Sequence, residues 1–287
     1  MKIILSRKGF DSSTGGFASP IIVDNGNGEE GQLLSLPIPV TEEQEKKNEK
    51  GISYNKLRYN GISLSTIIKQ LTYRQFKQAH LDPDLCEKHL ETRPEGWTKA
   101  FGQTGSAQTY LKHRGVKEDD LFLFFGWFKQ AKYDNNCKLK YVRGAKNLHV
   151  IFGWLQVGKI IEVEKDKIPS WLNNHPHVLN AGKKPYDKNN TIYVSAGNLS
   201  FKGLSEQEGG GVFSHFKKPL QLTAQEEDAM SHWCLPKWLY ENYVEGLWSC
   251  NNECCVAFDS NGNRQEFVFD VPEKNKQKAI DWLKEMF

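Results

Sequence analysis

A loop rich in small and hydroxyl side chains follows the first predicted strand and carries both positive charge and a carboxylate. Arg7 and Lys8 come directly after the strand, and Asp11, Ser12 and Ser13 follow before a pair of glycines. Clustered backbone N–H groups and two cations can hold a phosphate, and the same cations keep Asp11 ionised. A surface loop in which Asp11 closes its own turn is an equally good interpretation. The spacing matches neither a P-loop nor a dinucleotide-binding fingerprint.

Two carboxylates and an imidazole lie within five residues in the segment from His80 to Asp84. His80, Asp82 and Asp84 could bind a metal or divide acid and base roles. The alternative is structural: Asp82 caps a helix that starts at Pro83, and the helix dipole favours Asp84 in the first turn. The structural interpretation is favoured for Asp84, and both remain open for Asp82 and His80.

A Gly/Ser loop and the helix predicted after it carry polar groups suited to a base edge or a sugar hydroxyl. Gln103, Gln108 and Tyr110 supply amide and hydroxyl groups, and His113 lies at the end of the same stretch. The N-terminus of this helix could also face a phosphate. A capped surface helix without a ligand is at least as good an interpretation.

Metal binding is the weaker interpretation of the remaining histidines and cysteines. His175 and His177 flank a proline, with Tyr193 further along, but no Cys or Glu stands at a familiar zinc spacing from them. The cysteines at positions 250, 254 and 255 match no zinc ribbon and are interpreted as structural. We therefore predict neither a metal nor a cofactor. The sequence also lacks a Gly-x-Ser-x-Gly elbow and a His-Glu-x-x-His helix, which argues against a serine hydrolase or a metalloprotease.

The elements that must position these residues mix strands and helices without a strict βαβ rhythm. Residues 120–128 and 148–163 are long aromatic and β-branched runs, which predict neighbouring antiparallel strands in a sheet covered on both faces. Helices are predicted over 63–71, with Ser63 as N-cap, over 223–233, and over 272–287. The prediction is a single α+β domain over 1–287 with a curved, mostly antiparallel sheet. The charged segment 41–50 is expected to be an exposed loop or helix fragment.

The overall charge and cysteine content limit the class of protein. Lys and Arg number 38 and Asp and Glu 35, so the net charge is +3, which excludes a histone-like tail but not a local basic groove. No apolar run is long enough to span a bilayer, the N-terminal residues do not form a signal peptide, and six cysteines fit reduced thiols. These features predict a cytoplasmic protein.

Several of these segments form one longer pattern with the rest of the chain. The segments are 6–13 (SRKGFDSS), 15–21, 34–39, 80–85 (HLDPDL), 120–128 (DLFLFFGWF), 149–158, 175–177, Tyr193 and 265–267. Together they resemble the nucleotide modification associated domain 3 family over nearly the whole chain. Asp119 departs from the family pattern, in which a glycine usually precedes Asp120; this affects only the local turn.

The resemblance implies work on DNA that carries modified bases. It suggests an N-glycosidic bond hydrolase, a DNA glycosylase that excises glucosylated hydroxymethylcytosine from phage DNA and leaves abasic sites in antiviral defence. The alternatives are a non-catalytic reader of modified DNA that flips a base, and a nucleotide-modifying transferase or hydrolase. The near-neutral charge mildly favours the last, because duplex binders usually carry a stronger basic excess. The two long strands also resemble those of PUA-like and EVE-like barrels, which hold flipped bases.

If the protein is a glycosylase, as the resemblance implies, the candidate residues have the following roles. A carboxylate must stabilise positive charge on the sugar or activate water, with Asp11 as first candidate and Asp82 as second. The residues expected to bind DNA phosphates are Arg7, Lys8, Ser12 and Ser13. The residues expected to line the pocket for the flipped base and its sugar are Gln103, Gln108, Tyr110, His113, His80, His175, His177 and Tyr193.

Overall fold

The computed structural model describes residues 1–11, 14–23, 31–225, 229–241, 247–249, 255–258 and 265–287. The strands within these ranges are β1 (Lys2–Arg7), β2 (Ser19–Ile22), β3 (Gln32–Leu33), β4 (Ile38–Pro39), β5 (Ile52–Ser53), β6 (Arg58–Tyr59), β7 (Ile62–Ser63), β8 (Gln78–His80), β9 (Ala100–Gln103), β10 (Leu121–Tyr133), β11 (Leu139–Tyr141), β12 (Asn147–Glu162), β13 (Thr191–Ser195), β14 (Gly210–Val212), β15 (His232–Cys234), β16 (Leu247–Ser249), β17 (Cys255–Phe258) and β18 (Glu266–Asp270). The α-helices are α1 (Glu42–Lys46), α2 (Leu64–Thr72), α3 (Gly105–His113), α4 (Pro176–Leu179), α5 (Lys237–Tyr240) and α6 (Lys276–Met286).

A large, mostly antiparallel sheet organises the molecule and confirms the α+β prediction. Its strands run in the order β18-β1-β10-β12-β13-β9. The pairs of β10 with β1 and with β2 are parallel, and the other pairs of this path are antiparallel. The path begins at β18 and ends at β9, so the described sheet is not closed into a barrel.

The two long predicted strands form the centre of this sheet. β10 and β12 are antiparallel neighbours, with Leu121 opposite Gln156 and Lys129 opposite Asn147. Their side chains are buried on both faces along most of the shared length, as continuous apolar runs predict. Phe101 and Tyr193 from β9 and β13 join the same core. The sheet is thus a rigid platform from which loops at its edges carry polar side chains.

Short helices cover the sheet and are capped as the sequence predicts. Ser63 is the N-cap of α2, where its hydroxyl accepts a hydrogen bond from the Thr66 N–H group. The apolar face of α2, at positions 64, 67, 68 and 71, is buried in a second core with Phe10 and Tyr54. In the charged segment 41–50, Thr41 and Gln44 form a capping box at the start of α1, so the segment contains a helix.

Two local predictions were wrong. Residues 232–234 form strand β15 rather than the end of a helix from Thr223, because they pair with β17 and Cys234 donates its N–H to the Leu222 carbonyl. Pro83 does not start a helix: the Asp82–Pro83 peptide bond is cis, and Asp84 pairs with Ala100 as an isolated bridge. In both segments long-range strand pairing outweighs local propensity.

Among the helices that the structure describes, none has the length and apolar composition needed to cross a lipid bilayer.

Candidate functional site

Strand pairing places Asp82 against the edge of the main sheet. Asp84 and Ala100 exchange backbone hydrogen bonds, which hold the loop after β8 beside β9. The Gly102 N–H group then donates to Oδ1 of Asp82 at 2.8 Å. The Asp82 side chain is 6 % exposed. A buried carboxylate therefore occupies a position fixed by backbone geometry.

Two imidazoles face this carboxylate from the segment that begins α4. Nε2 of His175 lies 3.6 Å from Oδ1 of Asp82, and Nε2 of His177 lies 3.4 Å from Oδ2. Nδ1 of His175 accepts the His177 N–H at 3.3 Å, which leaves Nε2 as the nitrogen that points a proton toward Asp82. Nδ1 of His177 donates to Oδ1 of Asn190 at 2.6 Å, and Nδ2 of Asn190 donates to the His177 carbonyl. Both rings are thus oriented toward the carboxylate by groups behind them.

This arrangement keeps Asp82 ionised. Burial alone would raise the pKa of Asp82, but the two imidazoles that face its oxygens outweigh this effect and hold the pKa well below its ordinary value. The carboxylate is therefore a fixed negative charge in a site with little water, where its field is stronger than in solvent.

His80 joins the site through a tyrosine. Nε2 of His80 lies 2.8 Å from the Tyr186 hydroxyl, which donates to Oε1 of Glu49 at 2.8 Å. Because that hydroxyl proton goes to Glu49, His80 donates and the tyrosine oxygen accepts. Burial lowers the pKa of His80 to about 3, against the opposing effect of Asp82, so the ring is neutral at pH 7. We call Asp82, His80, His175, His177 and Tyr186 the Asp82 cluster.

A small cavity lies beside Asp82 and shares lining residues with a large cleft. This inner cavity of about 20 Å³ is lined by Asp82, Pro83, Gly9 and several residues that also line the cleft. A volume of this size can hold one water molecule. The shared residues are Ser35, Leu85, Cys86, His89, Phe152 and Val212.

The cleft itself has a volume of about 650 Å³, within the range of ligand pockets. Aromatic and amide side chains line it, and we call it the aromatic cleft: Tyr59, Phe152, Trp154, Phe213, Gln32 and Asn60. Flat apolar faces beside amide groups suit a heteroaromatic ring with polar edges.

A second cleft lies on the other side of the 80–85 loop. It has a volume of about 540 Å³, and His175 is among its lining residues. Asp84 also lines it, but both carboxylate oxygens accept from Arg93, at 2.6 and 2.9 Å, and Trp97 donates to one of them. Asp84 therefore has a structural role in this wall, but through Arg93 and Trp97 and not through the first helical turn that the sequence interpretation assumed.

Four of the predicted site residues lie in the core near Glu266, a buried carboxylate that the sequence analysis did not select as a site residue. Nζ of Lys8 lies 2.9 Å from Oε1 of Glu266, and the Gln103 amide donates to the same oxygen at 2.5 Å. The Tyr193 hydroxyl donates to Gln108 at 3.0 Å nearby. Glu266 is only 1 % exposed. Lys8 and Gln103 are therefore engaged with Glu266 rather than presented at the surface.

The first loop places Asp11 in a turn of its own. Oδ1 of Asp11 accepts the Thr14 N–H at 2.6 Å, and Nη2 of Arg7 lies 3.7 Å from Oδ2. This geometry agrees with the interpretation in which Asp11 closes its own turn. Ser12 and Ser13 lie outside the described residues, and so do the cysteines at 250 and 254.

The last two predicted residues lie on α3. Tyr110 is half-buried and packs against the main core, whereas His113 is exposed in the last turn of the helix. The structure brings together His80, Asp82, His175 and His177, and it places Tyr110 and His113 outside the Asp82 cluster.

Sequence reasoning missed the residues that orient the Asp82 cluster. Glu49, Tyr186 and Asn190 act through hydrogen bonds to residues more than ten positions away, which no local pattern signals. Glu266 lies in the last of the family-like segments, 265–267, and this position could have identified it as a candidate. Within the described part of the chain, no group of three or more His, Cys, Asp or Glu residues is arranged to hold a metal ion.

Comparison with known proteins agrees with the resemblance seen in the sequence. Searches of curated proteins and of solved structures each gave no significant match. The profile of the family described as nucleotide modification associated domain 3 matches residues 2–270, most of the chain. The matched range includes all members of the Asp82 cluster and the aromatic cleft. The protein therefore belongs to the nucleotide modification associated domain 3 family, and its role is associated with nucleotide modification.

Proposed function

We propose that the protein is a DNA glycosylase that hydrolyses the N-glycosidic bond of a hypermodified cytosine, with Asp82 as the catalytic carboxylate. The observation that carries the proposal is the position of Asp82, an ionised carboxylate beside a cavity that shares lining residues with the aromatic cleft. Glucosylated hydroxymethylcytosine in phage DNA is the proposed substrate, and defence against such phage is the proposed role.

Asp82 supports this chemistry better than Asp11. Breaking the bond between C1′ and the base nitrogen leaves positive charge on the sugar, which a nearby fixed carboxylate stabilises. Asp82 accepts a hydrogen bond from the Gly102 N–H group, and two imidazole nitrogens lie within 3.6 Å of its oxygens. Asp11 uses one carboxylate oxygen to close its own turn.

The reaction is a hydrolysis and needs only water. The bonding pair of the C1′–N bond leaves with the base, the water oxygen bonds to C1′, and the water protons are shared between the product sugar and the base. Asp82 can accept a proton from water in the inner cavity, and His175 presents an Nε2–H group to the same carboxylate. Removal of Asp82 would therefore affect the chemical step directly.

The aromatic cleft supports binding of a flipped base with a bulky adduct. Tyr59 offers a ring face for stacking, and the largely buried Trp154 adds an apolar wall. Gln32 and Asn60 offer amide groups for hydroxyl and amino groups. Its volume of about 650 Å³ exceeds the need of an unmodified base and leaves room for a sugar.

Replacement of Asp82 by asparagine tests the proposal. The protein is incubated with a duplex that contains glucosylated hydroxymethylcytosine and, separately, with the plain duplex; alkali then cleaves abasic sites, and mass spectrometry detects the free base. We expect base release only from the modified duplex. We expect Asp82→Asn to lower the rate by about 10²-fold or more, because the neutral amide neither stabilises positive charge nor accepts a proton.

The matched control is Asp11→Asn, in which the amide oxygen still closes the turn. We expect this variant to keep wild-type activity within a few-fold. Full activity of Asp82→Asn would remove Asp82 from the mechanism, and loss in Asp11→Asn alone would transfer the role to Asp11. Tight binding of modified DNA with no free base in any sample would instead indicate a non-catalytic reader.

A further inference from the structure

Residues 129–146 form a strongly basic hairpin at the C-terminal end of β10. They comprise the end of β10, a turn, β11 and the loop into β12. This segment contains six Lys or Arg residues and one acidic residue, so its net charge is 6 − 1 = +5, against +3 for the whole chain. The rest of the chain therefore has a net charge of 3 − 5 = −2, so the hairpin is strongly basic on a chain that is otherwise slightly acidic.

The cations of the hairpin are mostly exposed and mostly unneutralised. Lys132, Lys138 and Arg143 are exposed and form no ion pair with a described carboxylate. Lys140 pairs with Asp134 at 2.7 Å, the acidic residue of the segment. The charges of Lys132, Lys138 and Arg143 thus remain available to an anion.

The register of the hairpin places two of these cations directly opposite each other. Lys132 pairs with Lys140 across β10 and β11. Like charges at directly opposed positions destabilise a strand pair. Asp134 offsets the charge of Lys140 in this pair, and a bound polyanion would offset the charge of Lys132 as well.

Exposed aromatic side chains flank the same cations. Tyr133 is 38 % exposed on β10, and Tyr73, at the C-terminal cap of α2, is 84 % exposed. α2 packs on the hairpin, where the Leu139 N–H group donates to Oε1 of Gln70 at 3.0 Å. Cations beside exposed tyrosines suit a nucleic-acid backbone, since Lys, Arg and Tyr side chains all contact phosphate oxygens.

The hairpin lies close to the aromatic cleft. Ala131 pairs with Ile22 of β2, and Ile22 pairs with Gln32 of β3, which lines the cleft. Two strand spacings of about 4.8 Å separate the base of the hairpin from the cleft by about 10 Å. Tyr59 in the cleft also lies near Tyr133 on the hairpin: burial and the Tyr133 hydroxyl together raise the pKa of Tyr59 to about 12. A strand bound on the hairpin could therefore place a nucleotide in the cleft.

We infer that the basic hairpin 129–146, with Tyr73 and Tyr133, binds the phosphate backbone of duplex DNA next to the aromatic cleft. The inference rests on the proposed function and assigns its DNA-binding surface. The occupant is a polyanion with a regular phosphate spacing, because the cations are distributed along the hairpin rather than focused on a single point.

The test neutralises the three exposed, unpaired cations together: Lys132→Gln, Lys138→Gln and Arg143→Gln. The control neutralises three exposed lysines outside the hairpin, Lys202, Lys274 and Lys278, which also form no ion pair with a described carboxylate. Binding of a short fluorescein-labelled unmodified duplex is followed by anisotropy between about 50 and 200 mM salt. We expect the hairpin variant to bind at least tenfold more weakly at low salt, with a log–log salt slope shallower by about 2 to 3.

Wild-type-like affinity and slope in the hairpin variant, or an equal loss in the control, would overturn the inference. A second measurement uses the wild-type protein: lysine acetylation with and without duplex. Protection of Lys132 and Lys138 but not of Lys274 and Lys278 supports the surface, and the reverse pattern overturns it. Mononucleotide binding without duplex binding also overturns it. If duplex binding depends on the hairpin but no base is released from modified DNA, the proposed function fails and the binding surface stands.

Discussion

Gly102 allows strand β9 to lie directly against the ring of His177. A Cβ atom at this position would come within 2.3 Å of Cδ2 of the ring. The ring has little freedom to move, because Asn190 binds one nitrogen and Asp82 faces the other. The same glycine donates its N–H to Asp82. One residue without a side chain therefore sets the distance between the carboxylate and an imidazole.

The variant Gly102→Ala tests this positioning. We expect a loss of about 1–3 kcal/mol in the free energy of unfolding and a drop of tenfold or more in base release, because the methyl group displaces His177. Urea unfolding and the base-release assay measure the two effects. The control is Gly197→Ala, where an added Cβ meets no atom within 4 Å; it should stay within about 0.5 kcal/mol of wild type. Equal behaviour of the two variants would contradict this role of Gly102.

At the scale of elements, helix α2 connects the second core to the basic hairpin. Its buried face packs beneath the first loop, and its C-terminal end carries Gln70 and Tyr73 toward β11. The helix has nine residues, which is too short to be stable alone in water. Its stability therefore comes from packing and from the Ser63 cap, and the position of Tyr73 depends on both.

Removal of this cap tests the contribution of the helix terminus. In Ser63→Ala the Thr66 N–H group loses its acceptor, and we expect the free energy of unfolding to fall by about 1 kcal/mol. The control is Ser65→Ala within the first turn, where alanine has the higher helix propensity and no loss is expected. Thermal or urea unfolding gives both values. A smaller loss at Ser63 than at Ser65 would rule out the capping role.

At the scale of the whole molecule, three histidines are neutral because they are half-buried, as His80 and His89 are, or buried, as His149 is. Burial lowers the pKa of His80 and His149 to about 3 and that of His89 to about 4. In the unfolded chain a histidine titrates near 6.5, so between these values the unfolded state binds more protons. The stability of the fold is therefore greatest above about pH 6.5 and falls as the pH drops toward 4.

His149 offers a direct test of this pH dependence. Its Nδ1 accepts a hydrogen bond from Trp233 at 2.9 Å in the main core, and asparagine can supply an acceptor without titrating. We expect His149→Asn to flatten the fall of the unfolding free energy between pH 6.5 and 4 by up to about 1.4 kcal/mol per pH unit. Urea unfolding at several pH values measures the slope. Parallel curves for wild type and variant would show that His149 does not contribute.

The sequence by itself determined the elements and the family. Apolar periodicity and capping residues operate within a few positions, so α2 with its Ser63 cap and the long strands β10 and β12 could be predicted. Family-like segments such as 80–85 and 175–177 also identified most of the Asp82 cluster as candidates. Where a nearby pattern competed with distant pairing, as at Pro83 and residues 232–234, the local prediction was wrong.

Only the tertiary structure decided which candidates meet. Asp82 accepts from Gly102, 20 positions away, and faces His177 from a different part of the chain, while Lys8 pairs with Glu266 across 258 positions. Such contacts depend on strand order and register, which no local pattern encodes. The partner of a polar side chain also determines its protonation and orientation. For this reason the sequence suggested the residue types of the site, whereas the fold determined that Asp82 stands ionised beside the inner cavity and that Asp11 closes a turn.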